Sequence, residues 1–198
     1  MNDTLQIYTS NFEHDMMIFP CIFERKNVLT VGNVGDSMCI ISRGGKAVRI
    51  LRAHRLQDAS EKGRVEAAGG TVLNNRVNGI LTVSRAFGDT NLKYSDSNFN
   101  YSSGPVIALP DVHSEVITPM TEFAVLATDG LYDVMEPQQI VNFVRKKLAK
   151  KVDIGSISQE LCQHAINKGS VDNVTAIILA FHTTDRGLDQ EESSLINI

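Results

Sequence analysis

A chain of 198 residues, 42% of them apolar, is long enough for one domain of ordinary size with a real core, and its composition excludes disorder on a large scale. The net charge of -4 and pI near 5.7 argue against nonspecific binding to nucleic acid or an anionic membrane, since either needs a concentrated excess of Lys and Arg. Cys21, Cys39 and Cys162 are widely spaced with no C-x-x-C pair, which speaks against a disulfide framework or a zinc site.

The opening stretch, "MNDTLQIYTSNFEHD", carries acids early and no apolar h-region, so it does not read as a secretory signal. The longest apolar runs fall far short of the ~20 residues that span a bilayer. A reducing intracellular compartment, cytoplasmic or nuclear, is the expectation. No internal repeat and no interdomain linker are visible. From Val28 to Leu51 the pattern predicts strand, turn, strand, hairpin and strand in an antiparallel sheet, with Gly44-Gly45 supplying the positive φ of a tight hairpin. "DASEKGRVEAAGG" predicts a short helix, with Asp58 as N-cap, Glu61 as its capping-box partner and Gly69 just past the end. Residues 71–83 read as one or two strands interrupted by the turn segment "NNRVNG", and residues 91–104 as a polar surface loop.

After Pro110, "TEFAVLATDG" predicts a buried strand. "EPQQIVNFVRKKLAK" predicts an amphipathic helix with Pro137 near N1 and with Ile140, Val141, Val144 and Leu148 on one face. The basic run Arg145 to Lys151 suits that helix's C-terminus, where cations meet the negative end of the macrodipole; a docking patch is the alternative. A further helix runs roughly from Ile157 to Asn167, and "SVDNVTAIILAF" gives a turn and a last buried strand.

Phe123 to Thr128 runs toward Asp129, and Val174 to Phe181 runs away from Asp172, so antiparallel pairing would place both acids at one end of a sheet. Asp36 also follows a strand, and Asp133 sits just past the Asp129 turn. Clustered carboxylates repel one another unless a cation neutralises them, and a hard divalent ion with oxygen ligands does so best. The structural alternative is that Asp129-Gly130 is simply a turn and that Asp133 caps the following helix. Spacing alone leaves both open.

Six ordered motifs bear on the choice: "NVGDS" (Asn33 to Ser37), "GGTV" (Gly69 to Val72), "RVNGILTVSRAFGD" (Arg76 to Asp89), "ALPDV" (Ala108 to Val112), "ATDGLYDV" (Ala127 to Val134) and "GSVDNVT" (Gly169 to Thr175). In this order they resemble the PPM-type metal-dependent protein phosphatases, or protein phosphatase 2C, over roughly Val28 to Phe181 and as the C-terminal portion of that domain. The resemblance implies an α+β fold of stacked, mainly antiparallel β-sheets flanked by helices. It implies hydrolysis of phosphoserine and phosphothreonine by a metal-bridged water, with Mg²⁺ or Mn²⁺ as cofactor and phosphorylated proteins as partners. Carried over by position, Asp129 and Asp172 resemble ligands of the main metal pair. Asp36 and Asp133, with Asp129, resemble ligands of an additional position. No phosphoenzyme is implied, and none of the three cysteines stands in a C-x-x-x-x-x-R loop.

The family also carries a "DGHGG"-type segment and an upstream acidic pair, which supply the rest of the bimetal site; no D-G-H occurs in this chain. "NFEHD" (Asn11 to Asp15) lacks the Gly-bearing turn and does not read as a replacement. The expected organisation is residues 1–27 as a segment lacking the first metal-ligand motif, 28–183 as a partial phosphatase-like domain truncated at its N-terminus, and 184–198 as an acidic mobile tail. Impaired turnover follows as an expectation, with a noncatalytic pseudophosphatase or interaction module as the alternative. Ala53-His54 stands where the family commonly has Asp-His, and Tyr132 where it commonly has Trp. Arg85 and Asp89 are expected in structural ion pairs or loop hydrogen bonds. His54, His113, His164 and His182, lacking metal-ligand spacing, are expected in surface or capping roles, and Met16-Met17 in the core.

Overall fold

The computed structural model describes residues 27–95, 98–99 and 102–181. The expectations placed on residues 1–26, on His182 and on the tail 184–198 lie outside the described residues. In chain order the elements are β1 (Val28–Asn33), β2 (Met38–Arg43), β3 (Lys46–Arg49), α1 (Ala59–Ala67), β4 (Val72–Leu73) and β5 (Arg76–Val77). A 3-10 turn (Thr90–Leu92) follows, then β6 (Tyr94–Ser95), β7 (Asn98–Phe99), β8 (Asp111–Val116) and β9 (Thr121–Ala127). The chain continues through α2 (Asp129–Tyr132), α3 (Pro137–Leu148), α4 (Ile154–Asn167) and β10 (Ala176–Ala180). The fold class is α+β with antiparallel sheets, as the motif resemblance implied. The described chain divides into two compact units.

The first unit comprises Cys39–Ile50 and 116–181 and holds a four-stranded sheet in the order β10-β9-β2-β3. β9 and β10 pair antiparallel from Ala127↔Ala176 to Phe123↔Ala180, the arrangement expected of the two buried runs. Strands β2 and β3 form a hairpin closed by Gly44 and Gly45 at φ +56° and +80°. A two-residue turn matched to strand twist needs both central residues at positive φ, so the glycine pair is a geometric requirement. Phe123, Val125 and Ala127, with the period of two that puts alternate residues on one face, join Ala176 and Ile178 of β10 against Ile140, Val141 and Val144 of α3 and Ile157, Leu161 and Ala165 of α4. The predicted apolar face of α3 is the buried one, and Arg145, Lys146 and Lys147 occupy its last turn. Helix α4 begins at Ile154, three residues before the sequence reading, because the Asp153 carboxylate accepts from the N–H groups of Gly155 and Ser156 at 3.1 and 2.8 Å.

The second unit comprises residues 27–38 and Leu51–Glu115. Its core is Leu56, Val65, Val77, Val83, Ala86 and Val106, fed by α1 and by the segments around it. Asp58 caps α1 through Ser60 N–H as predicted. The small hairpin β4-β5 turns at Asn74 and Asn75, with φ of +52° and +57°, within the segment predicted to turn. Two expectations change. β1 pairs with β8 rather than extending the β2-β3 sheet, because the turn through Gly35, at φ +116°, carries the chain out of one sheet and into another. The polar stretch 91–104 is not wholly irregular: the 3-10 turn ends in it, and β6 and β7 pair within it.

Candidate active site

In the first unit the antiparallel pairing of β9 and β10 brings the end of one strand beside the start of the other. Thr128 locks this junction. Its N–H donates to Thr175 O at 3.1 Å, its hydroxyl donates to Asn173 O at 2.9 Å, and that hydroxyl accepts from Thr175 N–H at 3.1 Å. Asp129 follows as the first residue of α2 and Asp172 immediately precedes Asn173, so both carboxylates stand at one end of the sheet. Gly130 permits the close approach: a Cβ there would lie 2.5 Å from the Asn173 carbonyl oxygen. Asp133 lies one helical turn after Asp129, its N–H donating to Asp129 O at 2.8 Å, which puts the two on the same side of the turn. Asp172 is exposed, and its carboxylate accepts from Asn173 N–H at 2.7 Å.

The capping alternative for Asp133 does not hold, because Glu136 is the N-cap of α3, with the Gln139 side chain accepting from its N–H at 3.1 Å. Asp36 belongs to the second unit, in the turn after β1, where the Arg55 guanidinium donates to its Oδ2 at 3.2 Å. Carboxylate oxygens are the donor chemistry that Mg²⁺ and Mn²⁺ select. Among the described residues, however, no three His, Cys, Asp or Glu side chains gather into a ready-made metal cage. The described rim fits a hard divalent ion in kind and falls short of it in number.

The second unit contains a partly buried polar ring that sequence reasoning missed. Glu61, predicted to complete a capping box, turns inward and is only 3% exposed; it accepts from Ser84 Oγ at 2.6 Å and from the guanidinium groups of Arg64 and Arg85. Burial on its own would raise the Glu61 carboxyl, but hydrogen bonds from Arg85 and Ser84 and the charges of Arg85 and Arg64 overrule it and hold the group at about 2. Arg85 also donates to Asp111 Oδ1 at 2.9 Å and to Leu109 O at 3.0 Å, a structural pairing of the expected kind with different partners. His54 is fully buried, not at the surface, with Nε2 3.2 Å from Asp111 Oδ2 but off the line of a good hydrogen bond. His113 is partly exposed, with Nε2 3.2 Å from Glu115 Oε2, and His164 stacks on Phe143 at 5.1 Å between centroids. A lone histidine and an acid three residues after a cap carry no sequence signal of such burial; the one hint was Arg85, whose charge must find acids.

Burial pushes the Cys39 thiol up to about 12 and raises Cys162 as well, so thiolate is scarce at neutral pH. Among the described residues no helix is long and apolar enough to cross a membrane.

The sequence profile of the protein phosphatase 2C family matches residues 17–174. Probable protein phosphatase 2C 54 of Oryza sativa subsp. japonica is 37% identical over 154 residues, covering 78% of this chain and 42% of its own. Protein phosphatase ppm-1.G of Caenorhabditis elegans is 39% identical over 162 residues, covering 79% of this chain and 33% of its own. The crystal structure of a phosphatase from a pathogenic strain of Toxoplasma gondii superposes with a TM-score of 0.71 at 30% identity, covering 78% of this chain and 48% of that one. The chain thus spans about a third to a half of the length of these relatives. It belongs to the protein phosphatase 2C family.

Proposed function

We propose that this chain carries part of the active site of a metal-dependent protein serine/threonine phosphatase, acting on phosphoserine and phosphothreonine in intracellular proteins. Asp129 and Asp172 are ligands of the main Mg²⁺ or Mn²⁺ pair in this reading, Asp133 is a further cation ligand beside Asp129 in the first unit, and Asp36 is a cation ligand in the second. The observation that carries it is the β9-β10 register, which sets Asp129 and Asp172 at one sheet end through the Thr128, Gly130 and Asn173 contacts. A divalent ion there supplies Lewis-acid polarisation of a phosphoryl oxygen and a water acidified toward neutrality. The chain's own part is to hold carboxylate oxygens at one end of the sheet. The backbone locks mean that little ordering remains to be done when a cation binds.

The 198 residues on their own are expected to turn over slowly or not at all, because the described carboxylates fall short of a full ligand set. The same shortfall favours a second reading, a noncatalytic module that binds phosphoproteins or regulatory partners without metal. The two separate in one experiment: phosphate release from a phosphothreonine peptide with millimolar Mn²⁺, alongside partner capture with and without EDTA. Chelator-sensitive release abolished by Asp129→Asn supports the phosphatase reading and refutes the expected impairment if it is robust. Partner binding indifferent to both EDTA and Asp129→Asn, with no release, supports the module.

A further inference from the structure

The second unit holds the Asp36 turn from an unusual number of directions. Gly35 has both backbone groups engaged: its N–H donates to His54 Nδ1 at 3.1 Å, and its carbonyl accepts from His54 N–H at 2.9 Å and from Asn33 Nδ2 at 3.1 Å. The next residue along, Arg55, donates through Nε to Asp36 Oδ2 at 3.2 Å. His54 is itself embedded in the ring described above. Its carbonyl accepts from Ser84 N–H at 3.0 Å and Ser84 Oγ at 3.1 Å; Ser84 donates onward to Glu61; Glu61 meets Arg85; Arg85 meets Asp111; and Asp111 returns to the His54 imidazole. An Nδ1 that accepts a backbone N–H cannot carry a proton, so the ring nitrogen facing Asp111 must hold it. The imidazole is thereby fixed in one tautomer and one orientation.

We infer that the His54-Arg55 dipeptide is a positioning clamp for Asp36, the buried imidazole taking the Gly35 N–H and the Arg55 guanidinium taking the Asp36 carboxylate, so that the turn is set before any cation arrives. The ring of Glu61, Ser84, Arg85 and Asp111, buried at Glu61 and Ser84 and half-buried at Arg85 and Asp111, is the anchor of the clamp. This rests on the reading of Asp36 as a metal ligand, yet its geometric content stands apart from that role. His54 and Arg55 do not touch substrate in this scheme; they act through Gly35 and Asp36.

The test uses the full 198-residue chain, metal-free and ¹⁵N-labelled. Long-range ¹H–¹⁵N spectra of His54 should show the tautomer protonated at Nε2; a proton on Nδ1 would overturn the clamp outright, whatever any variant does. Amide exchange at Gly35 should accelerate roughly tenfold in His54→Leu, the loss expected of one hydrogen bond, while Val65 in α1 stays protected. His54→Asn, whose amide oxygen can reach the place of Nδ1, should restore Gly35 protection. Unchanged exchange at Gly35 in His54→Leu overturns the inference, and so does equal acceleration at Gly35 and Val65 in both variants, which would make His54 mere packing. Should His54→Leu fail to fold, the wild-type tautomer and the Asn variant decide. Mn²⁺ added afterwards probes the ligand reading separately: no broadening at Asp36, with tautomer and exchange as expected, removes Asp36 from the ligand set and leaves the clamp standing.

Discussion

The Thr128 hydroxyl donates to the Asn173 carbonyl in the segment leading into β10 and accepts from Thr175 N–H, so a single buried side chain ties the end of β9 to the approach of β10. Thr128→Val keeps the shape and strands both partners, and should cost about 1–3 kcal/mol in urea unfolding, with Thr128→Ser recovering most of it. Glu61 makes the acid dependence of stability readable at one position. Its folded-state carboxyl lies near 2, against an ordinary 4.5, so its contribution is complete above about pH 4.5 and is lost as the pH falls toward 2. The gap corresponds to roughly 3 kcal/mol. Denaturation midpoints across that window should fall steeply in the native chain and less steeply in Glu61→Gln. At this scale the sequence was legible where spacing coincides with a strand end, as at Asp129 and Asp172. It was not legible where chemistry depends on burial. Glu61 in "DASE" looks like any capping glutamate, and a buried histidine looks like an exposed one.

Helices α3 and α4 show how far periodicity carries at the scale of elements. The apolar positions of α3 are readable because they recur at 3.6-residue spacing, whereas the first turn of α4 is hidden in the sequence, since Gly155 and Ser156 are weak helix formers and only the Asp153 cap explains the extra turn. The two effects differ in size. Leu161→Ala empties a fully buried site between the sheet and α3 and should cost roughly 2–5 kcal/mol. Asp153→Ala removes a cap and should cost about 1 kcal/mol, and urea titrations of both variants would check the ordering. β8 escaped notice because its alternation sets half-buried Asp111, His113 and Glu115 against exposed Val112, Ser114 and Val116, a pattern with too few apolar residues to read as a strand. The partner of β1 was missed for a different reason: adjacent strands usually pair, and here the Gly35 turn intervenes.

For the molecule as a whole, family membership was legible because six short motifs kept their order, each tied to a turn or strand end that the fold requires. How many carboxylates meet was not legible, because side chains far apart in sequence carry no local sign of the distance between them; among the described residues no three His, Cys, Asp or Glu side chains gather. The two units also differ in how they are threaded: Cys39–Ile50 belongs with residues beyond 115, while the chain on either side of it belongs to the other unit. Strand β2 sits between β3 and β9 in the sheet order, so one of its two neighbours is translated some eighty residues later. During vectorial synthesis the β2-β3 hairpin must therefore wait, with one hydrogen-bonding edge open, until the ribosome has delivered β9, and β9 in turn waits for β10. Nascent chains arrested on the ribosome between residues 115 and 176 should recruit holdase chaperones, and release beyond residue 181 should relieve them of that company.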